Sequence, residues 1–136
     1  GEWFNTEDLW YVDEDGYYWY SGRADDAFKS RGEWVMPVEV ENVIMKHVSV
    51  LESAVIGFKD EDGLEKPMAF VVLLSASAAS EELEAELKEH IRKELPGYKV
   101  PARIRFIHEL PKTATGKYQR FKLRGVMREE MATKSL

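Results

Sequence analysis

The sequence predicts a small α+β domain, in which short β-hairpins and a central, mainly antiparallel sheet are covered by about three helices. Three observations lead to this prediction: an apolar strand-like segment near the middle of the chain, the order of strand-like and helix-like segments after residue 25, and the chain's size. The chain has 136 residues, of which 44% are hydrophobic and 12% aromatic. It is therefore predicted to be globular and to bury one modest core.

The central strand of the predicted sheet is the segment 66–74. Its residues 68–74 read Met-Ala-Phe-Val-Val-Leu-Leu, and this continuous apolar run predicts a strand that is buried on both faces. Residues 51–58 precede it as its hairpin partner, and residues 103–108 form a further strand. The acidic turn at 60–63 is interpreted as a hairpin turn and not as a calcium loop, because its glycine stands at the fourth place instead of the sixth.

The first part of the chain predicts two more pairs of strands. Residues 9–13 and 17–21 are rich in aromatic and β-branched residues and form a hairpin around the turn at 13–16. Residues 25–29 and 33–36 are two short strands that flank Gly32. The order after residue 25 is then β-β-α-β-β-α-β-α.

Apolar residues spaced three and four apart predict the helices. The first runs from Pro37 to about His47, and His47 is interpreted as a packed or capping residue and not as a ligand. The second begins after its N-cap Ser80 and has Glu–Lys pairs four residues apart, which indicate a solvated face and not a binding surface. Those pairs are Glu84–Lys88 and Glu89–Lys93. The third helix spans 121–131, and its inward residues are Leu123, Val126, Met127 and Met131.

Composition argues against several classes of function. The net charge of −6 disfavours nucleic-acid binding, since a duplex binder needs a cationic surface. The chain has no cysteine and its three histidines are far apart, so we expect no metal site in this chain and a cytoplasmic location. The apolar run 68–74 is too short to span a membrane, and we expect no membrane partner.

The decapeptide 111–120 is interpreted as the working tip of the chain. It carries three cations around a turn that Pro111 and Gly116 punctuate, and Lys117 projects from it as a compact charge. Such a lysine can meet phosphate or carboxylate oxygens. A solvated basic loop before the last helix is the alternative. The segment lacks the glycine and the hydroxyl residue of a strand-to-helix phosphate loop, so another element would have to hold most of a nucleotide.

Two motifs carry a resemblance to a known family. Residues 22–29, followed by Gly32, Pro37 and the run 39–41, resemble the hinge motif of the acyl-CoA synthetases, luciferases and peptide-synthetase adenylation domains. Residues 111–113 with Gly116, Lys117 and Arg120 resemble the C-terminal lysine motif of that family. The resemblance covers nearly the whole chain, and segments 15–20 and 63–67 look most like the benzoate and related carboxylate CoA ligases.

The resemblance implies an α+β lid domain at 25–136, with residues 1–24 as the trailing hairpin of a larger N-terminal domain. In the family that larger domain carries the acid pocket and holds most of the ATP, Mg²⁺ and CoA, and the lid rotates to present a further face to CoA. The start of the chain in a strand-like aromatic segment is expected of a cut inside a longer polypeptide. The implied partners are therefore the N-terminal domain, a small aromatic or medium-chain carboxylic acid, and CoA.

Individual roles follow residue by residue from the same resemblance. Lys117 matches the lysine of the adenylation step, Asp8 the aspartate that holds the ribose hydroxyls, and Arg23 the arginine near ribose or phosphate. Glu7 replaces the usual glycine beside Asp8. The alternative for Asp8 is a turn aspartate beside the hairpin. Asp25 matches the hinge residue, which absorbs a backbone change and does no chemistry.

The CoA-binding face implied by the resemblance contains Lys29, Gly32 and Trp34, with Gly32 leaving room for the pantetheine arm. Arg31 stands where a small residue is more usual, and contact with the CoA phosphates and simple solvation are both open for it. Two other functions compete with a CoA ligase. One is a stand-alone interaction module with the lid fold, and the other is an adenylation domain that loads a carrier protein.

Overall fold

The computed structural model describes residues 2–5, 8–12, 14–23, 26–112, 114, 119–120 and 122–127. Its strands are β1 (Glu2–Asn5), β2 (Asp8–Val12), β3 (Tyr18–Arg23), β4 (Phe28–Ser30), β5 (Glu33–Val35), β6 (Val50–Lys59), β7 (Glu65–Leu73) and β8 (Arg103–Phe106). Its helices are α1 (Pro37–Met45) and α2 (Glu81–Arg92), and residues 122–127 are also helical. The predicted α+β class and element order are confirmed.

The strands form three separate sheets. The first is antiparallel with the order β1-β2-β3, so the predicted hairpin of β2 and β3 has a further strand beside it. The second is the β4–β5 hairpin. In the third, β7 is central, antiparallel to β6 and parallel to β8. The return through α2 accounts for the parallel pair, since parallel neighbours need a crossover connection.

The central strand separates two halves of the core. Ala69, Val71 and Leu73 of β7 pack on the side of α1 and α2, whereas Met68, Phe70 and Val72 pack on the opposite side. Successive residues of a strand point to opposite faces, so an apolar residue at every position is what a doubly covered strand requires. The opposite side is covered by Leu110, Leu123 and Met127.

The last helix corrects one prediction. Val126 was expected to point inward with its neighbours, but it is 41% exposed, whereas Leu123 and Met127 are buried. Leu123 and Met127 lie four residues apart and share one narrow face, and Val126 falls outside it. Met131 lies outside the described residues.

The second helix corrects another. Ser80 is its N-cap as predicted, since its hydroxyl oxygen accepts a hydrogen bond from the Leu83 N–H at 3.0 Å. Glu84 and Lys88, however, are not on a solvated face. Glu84 Oε2 accepts from the N–H of Ile104 at 2.7 Å, and Lys88 Nζ donates to the carbonyl of Ala102 at 2.8 Å. Both side chains therefore hold the edge strand β8, whose outer backbone groups have no strand beside them.

His47 is packed, as predicted. Its Nδ1 accepts from the N–H of Ser49 at 3.1 Å, its Nε2 lies 2.8 Å from Glu86 Oε2, and its ring meets that of His90 edge to face. In the part of the chain that the structure describes, no helix is long and apolar enough to cross a membrane.

Candidate functional site

The β4–β5 hairpin has a tight two-residue turn. Phe28 pairs with Val35, Lys29 with Trp34 and Ser30 with Glu33, so Arg31 and Gly32 form the turn. Both have positive φ, at 54° and 80°. Two-residue hairpin turns of this kind favour glycine or asparagine, because a Cβ is strained in the left-handed region. Gly32 fits this requirement, and Arg31 meets it at a cost.

The hairpin is fixed to the central sheet through Phe28, whose side chain is buried in the core. The Phe28 ring lies against Gly57 of β6, and a Cβ at position 57 would overlap that ring. A glycine is thus required here for the close approach of a side chain and not for its φ angle. The contact between Phe28 and Gly57 therefore fixes how closely the hairpin packs against the central sheet.

Two of the predicted CoA-face residues, Lys29 and Trp34, meet across the hairpin. The Lys29 Nζ lies 5.2 Å from the centroid of the Trp34 ring, which is the geometry of a cation–π contact. The Trp34 side chain is 57% exposed. A large aromatic ring held by a cation and left open to solvent is a surface suited to a partner.

The hairpin turn forms one wall of a cavity of about 580 Å³, here called the basic groove. Its other walls are residues 63–67, one side of α2 and residues 97–102. The charged residues that line it are five cations and one acid, namely Lys29, Arg31, Lys66, Lys88, Arg92 and Glu65. In a chain whose net charge is −6, this local excess of positive charge marks a site for an anion.

The five cations differ in how they are paired. Lys66 lies 3.0 Å from Asp60, Lys88 donates to a backbone carbonyl, and Arg92 pairs with Glu89. For Lys29 and Arg31 the described residues supply no carboxylate partner. These two therefore stand at the turn with their charge available to a ligand.

A second group of charges lies inside the domain, and we call it the arginine anchor: Arg120 with Glu41 and Asp26. Arg120 Nη2 lies 2.7 and 2.8 Å from the two carboxylate oxygens of Glu41, and its Nη1 donates to Asp26 Oδ2 at 3.1 Å. Glu41 Oε2 also accepts from the N–H of Val55 at 2.7 Å. Burial raises the pKa of Glu41 above its usual range, and the charge of Arg120 opposes that rise.

The arginine anchor is one of two ionic contacts at the ends of the segment 111–119. At the other end, Lys112 Nζ lies 2.5 Å from Glu52 Oε2. Between them, the N–H of Gln119 donates to the carbonyl of Pro111 at 2.8 Å, which brings the two ends of the segment together. Pro111 and Gln119, the two described ends of this segment, therefore lie next to each other.

The structure describes some of the predicted site residues and not others. Lys29, Gly32 and Trp34 lie together on the hairpin, with Arg31 beside them on the basic groove. Asp8 and Arg23 are opposite each other in the pairing of β2 with β3. Lys117, Asp25 and Glu7 lie outside the described residues. Among the residues that are described, no group of three or more His, Asp or Glu side chains is arranged to hold a metal ion.

Sequence reasoning missed the groove cations that come from outside the hairpin. Lys88 and Arg92 are four residues apart and so share one side of α2, which was a usable signal. Lys88 was instead assigned to Glu84, and Arg92 was given no role. Lys66 and Tyr98 reach the groove only through the tertiary fold, which spacing in the sequence does not reveal.

Comparisons with known proteins give a consistent set of similarities. The family model described as "AMP-binding enzyme C-terminal domain" matches residues 39–117. A benzoate–CoA ligase of Thauera aromatica is 51% identical over 124 residues, which are 91% of this chain and 24% of that protein. A 4-hydroxybenzoate–CoA/benzoate–CoA ligase of Rhodopseudomonas palustris is 47% identical over 125 residues, or 91% of this chain and 23% of that protein.

Solved structures agree with the sequence relatives. An anthranilate CoA ligase, AuaEII, crystallised with anthranoyl-AMP, superposes with a TM-score of 0.85 at 50% identity, over 93% of this chain and 24% of that one. A benzoate CoA ligase of Burkholderia xenovorans LB400 superposes with a TM-score of 0.80 at 49% identity, over 91% of this chain and 24% of that one. The chain thus spans about a quarter of the length of the proteins it matches.

Proposed function

The chain belongs to the AMP-binding enzyme C-terminal domain family, and from this premise we propose that it is the lid of an AMP-forming CoA ligase that acts on an aromatic carboxylic acid. Its relatives support this class of acid, since they are CoA ligases of benzoate, 4-hydroxybenzoate and anthranilate. The acid pocket itself belongs to the N-terminal domain in this proposal. A cytoplasmic location stays a prediction from the cysteine-free sequence.

The proposed reaction has two halves. In the first, a carboxylate oxygen attacks the α-phosphorus of ATP, pyrophosphate leaves, and an acyl-adenylate forms. Lys117 is proposed to neutralise the charge that gathers between the carboxylate and the phosphate, and losing such a contact costs on the order of 10² to 10³ in rate. In the second half, the CoA thiol displaces AMP. Asp25 is proposed as the hinge between the two halves, and Asp8 and Arg23 as contacts to the nucleotide.

One observation carries the assignment of the thiol to CoA, namely the charge of the basic groove. CoA bears a diphosphate and a 3′-phosphate, and five cations with one acid complement such a ligand. Lys29 and Arg31 are the cations with charge to spare, and Tyr98 on the lining adds an aromatic ring on which a base can stack. A phosphopantetheine arm on a carrier protein has one phosphodiester and would leave most of these cations unused.

The described residues fit CoA and do not provide a site for Mg²⁺. The groove residues would hold the nucleotide end of CoA, and the open space at Gly32 leaves a path past the hairpin turn. ATP and Mg²⁺ are proposed to be held mainly by the N-terminal domain.

The test separates the two half-reactions in the full-length protein. The double variant Lys29→Met/Arg31→Met should leave pyrophosphate release from ATP and benzoate unchanged and raise the KM for CoA by about tenfold, which corresponds to 1.4 kcal/mol. The same variant should lose most of the wild-type preference for CoA over dephospho-CoA. Lys93→Met is the matched control, because Lys93 is an exposed lysine of the same domain outside the groove.

Three results would contradict the proposal. An unchanged KM for CoA in the double variant would show that the groove does not bind the phosphates. Transfer of the acyl group to a carrier protein, with no activity on CoA, would favour the carrier-loading alternative. Absence of pyrophosphate release with any aromatic acid would favour an interaction module.

A further inference from the structure

We propose that the ionic contacts at the two ends of the segment 111–119 are positioning elements for the first half-reaction alone. These contacts are the arginine anchor at one end and Lys112–Glu52 at the other. The inference rests on the proposed function, in which Lys117 lies between them and serves adenylation. It assigns a role to five side chains that make no contact with the reacting atoms.

The first step is the proximity in sequence. Arg120 follows Lys117 by three residues, and Lys112 precedes it by five. Each of these cations is bound to a carboxylate on a different element, Arg120 to Glu41 of α1 and Lys112 to Glu52 of β6. The two described ends of the segment are therefore bound to α1 and β6, which both contribute to the buried core.

The second step concerns the choice of charged residues for this task. A buried ion pair adds little net stability compared with a well-packed apolar pair, because both charges lose their hydration. What it provides is direction, since charge-assisted hydrogen bonds hold their atoms at defined distances and angles. Glu41 is held in turn by the N–H of Val55, a residue of β6. Arg120 is therefore linked through Glu41 to the central sheet.

The third step is the contact with Asp26. Arg120 Nη1 reaches Asp26 Oδ2, and Asp26 is the neighbour of the proposed hinge at position 25. One guanidinium thus joins the end of the lysine segment to the chain next to the hinge. When the lid turns, these two parts are expected to move as one body, which keeps the placement of Lys117 independent of the turn. A misplacement of about 1 Å can cost on the order of 10²-fold in rate.

The experiment uses the full-length protein and measures two rates. These are pyrophosphate release from ATP and benzoate, and thioester formation from supplied benzoyl-adenylate and CoA. Arg120→Lys keeps the charge but replaces the two separate guanidinium nitrogens that contact Glu41 and Asp26 with a single ammonium nitrogen. We expect it to lower pyrophosphate release about 10- to 100-fold and to change thioester formation less than twofold. An equal loss in both rates, or no loss in either, would overturn the inference.

The Lys112–Glu52 contact gives a second test at a more exposed pair, because the Lys112 side chain is 38% and the Glu52 side chain 25% exposed, with only Glu52 Oε2 itself buried. Lys112→Glu should lower pyrophosphate release about tenfold, and the exchange Lys112→Glu/Glu52→Lys should restore at least half of it. A purely structural role predicts that thioester formation is lost and rescued in parallel, whereas a positioning role predicts that thioester formation changes less than twofold in both variants. Lys46→Glu is the matched control, because Lys46 forms an exposed pair with Glu94 at 3.0 Å away from this segment and should leave both rates unchanged.

The outcome also distinguishes this inference from the proposed function. If the wild-type protein releases no pyrophosphate with aromatic acids, the proposed function fails and the inference fails with it. If the wild type is active and Lys117→Ala abolishes only pyrophosphate release, the proposed function stands. In that case the ratio of the two rates in Arg120→Lys and the rescue by the exchange decide the inference alone.

Discussion

The basic groove and the arginine anchor use the same chemical groups in opposite ways. In the groove, cations line an open cavity, and two of them have no carboxylate partner among the described residues. In the arginine anchor, one guanidinium is only 11% exposed and meets two carboxylates of the same domain. Two cations of the groove are therefore open to a ligand, whereas the cation of the arginine anchor is neutralised by carboxylates of the same domain.

The difference between the two regions shows that membership of a sequence motif does not tell a ligand-binding residue from a structural one. Arg120 stands in the motif with Lys117, and the motif alone would suggest a ligand contact for both. The structure shows that Arg120 is engaged by Glu41 and Asp26. Lys88 and Arg92 belong to no motif, yet they line the groove. Partners and exposure, and not membership of a motif, separate the two roles.

The largest expected effect comes from breaking the arginine anchor. In the 136-residue chain, Arg120→Ala should lower the free energy of unfolding by about 3–5 kcal/mol, because Glu41 then stays buried without its cation. Urea denaturation followed by circular dichroism measures the loss.

The control for this prediction removes both charges. Glu41→Gln/Arg120→Met should recover most of the lost stability, since the Gln oxygen can still accept from the N–H of Val55 and the most buried charge is gone, which leaves only the more exposed Asp26 without its cation. A loss below about 1 kcal/mol in Arg120→Ala would show that the anchor is a surface pair.

The next effect concerns how the groove is held in place. Gly57→Ala should lower the free energy of unfolding by about 1–3 kcal/mol, because the new methyl group displaces the Phe28 ring and overpacks the core. Since Phe28 precedes Lys29, the KM for CoA in the full-length protein should rise as well. Thermal unfolding and CoA titration are the two measurements.

Gly125→Ala is the matched control for that substitution. Gly125 is helical and nothing lies within 4 Å of a Cβ built on it. The same change should therefore stabilise the chain by about 0.5–1 kcal/mol, through helix propensity alone. Equal effects of the two substitutions would mean that the contact between Gly57 and Phe28 is not tight.

Much of the fold could be predicted because its signals are local. The apolar run of β7 predicted a central strand, and the hydroxyl of Ser80 predicted a helix start; both were confirmed. The parallel pairing of β8 and the exposure of Val126 depend on which surfaces meet, and no local pattern carries that information.

The candidate site could be predicted only where a motif crosses a single element. Lys29, Gly32 and Trp34 come from one hairpin, and the structure brings them together. The groove needs contributions from four separate segments of the chain. Glu84 and Lys88 were misread because an i, i+4 pair is usually solvated, whereas here β8 covers them and takes up their hydrogen bonds.

A smaller effect tests whether the groove keeps its charge at the expense of stability. Arg31 has a φ of 54°, and a left-handed conformation costs a residue with a side chain about 1–2 kcal/mol. Arg31→Gly relieves this strain but adds flexibility to the unfolded chain, so we expect a net stabilisation of about 0.5–1 kcal/mol. The KM for CoA should rise in the full-length protein.

Arg31→Asn distinguishes strain from charge. Asparagine tolerates the left-handed region but carries no charge, so it should share the raised KM and show a smaller gain in stability. If Arg31→Gly destabilises the chain, the strain assigned to the turn is wrong.

The smallest effect uses pH to contrast a partly exposed carboxylate near the groove, Asp60, with the buried carboxylate of the arginine anchor, Glu41. The hydrogen bond from Lys66, together with those from the N–H groups of Leu64 and Asp62, holds the pKa of Asp60 below its usual range. Its contribution to stability is present above the unfolded pKa of about 3.9 and is lost as the pH falls through the lower, folded pKa. The pKa of Glu41 is raised instead, so its folded form binds the proton more tightly. The contribution of Glu41 to the stability of the fold is therefore lost as the pH rises from about 4.3 through its folded pKa.

Asp60→Asn should thus be less stable than the wild type at neutral pH. The difference should shrink in acid, where Asp60 is protonated, and in high salt, because Lys66 is half-exposed. Stability measured against pH for Asp60→Asn and Glu41→Gln should give differences from the wild type of opposite slope, and slopes of the same sign would contradict the contrast between the two regions.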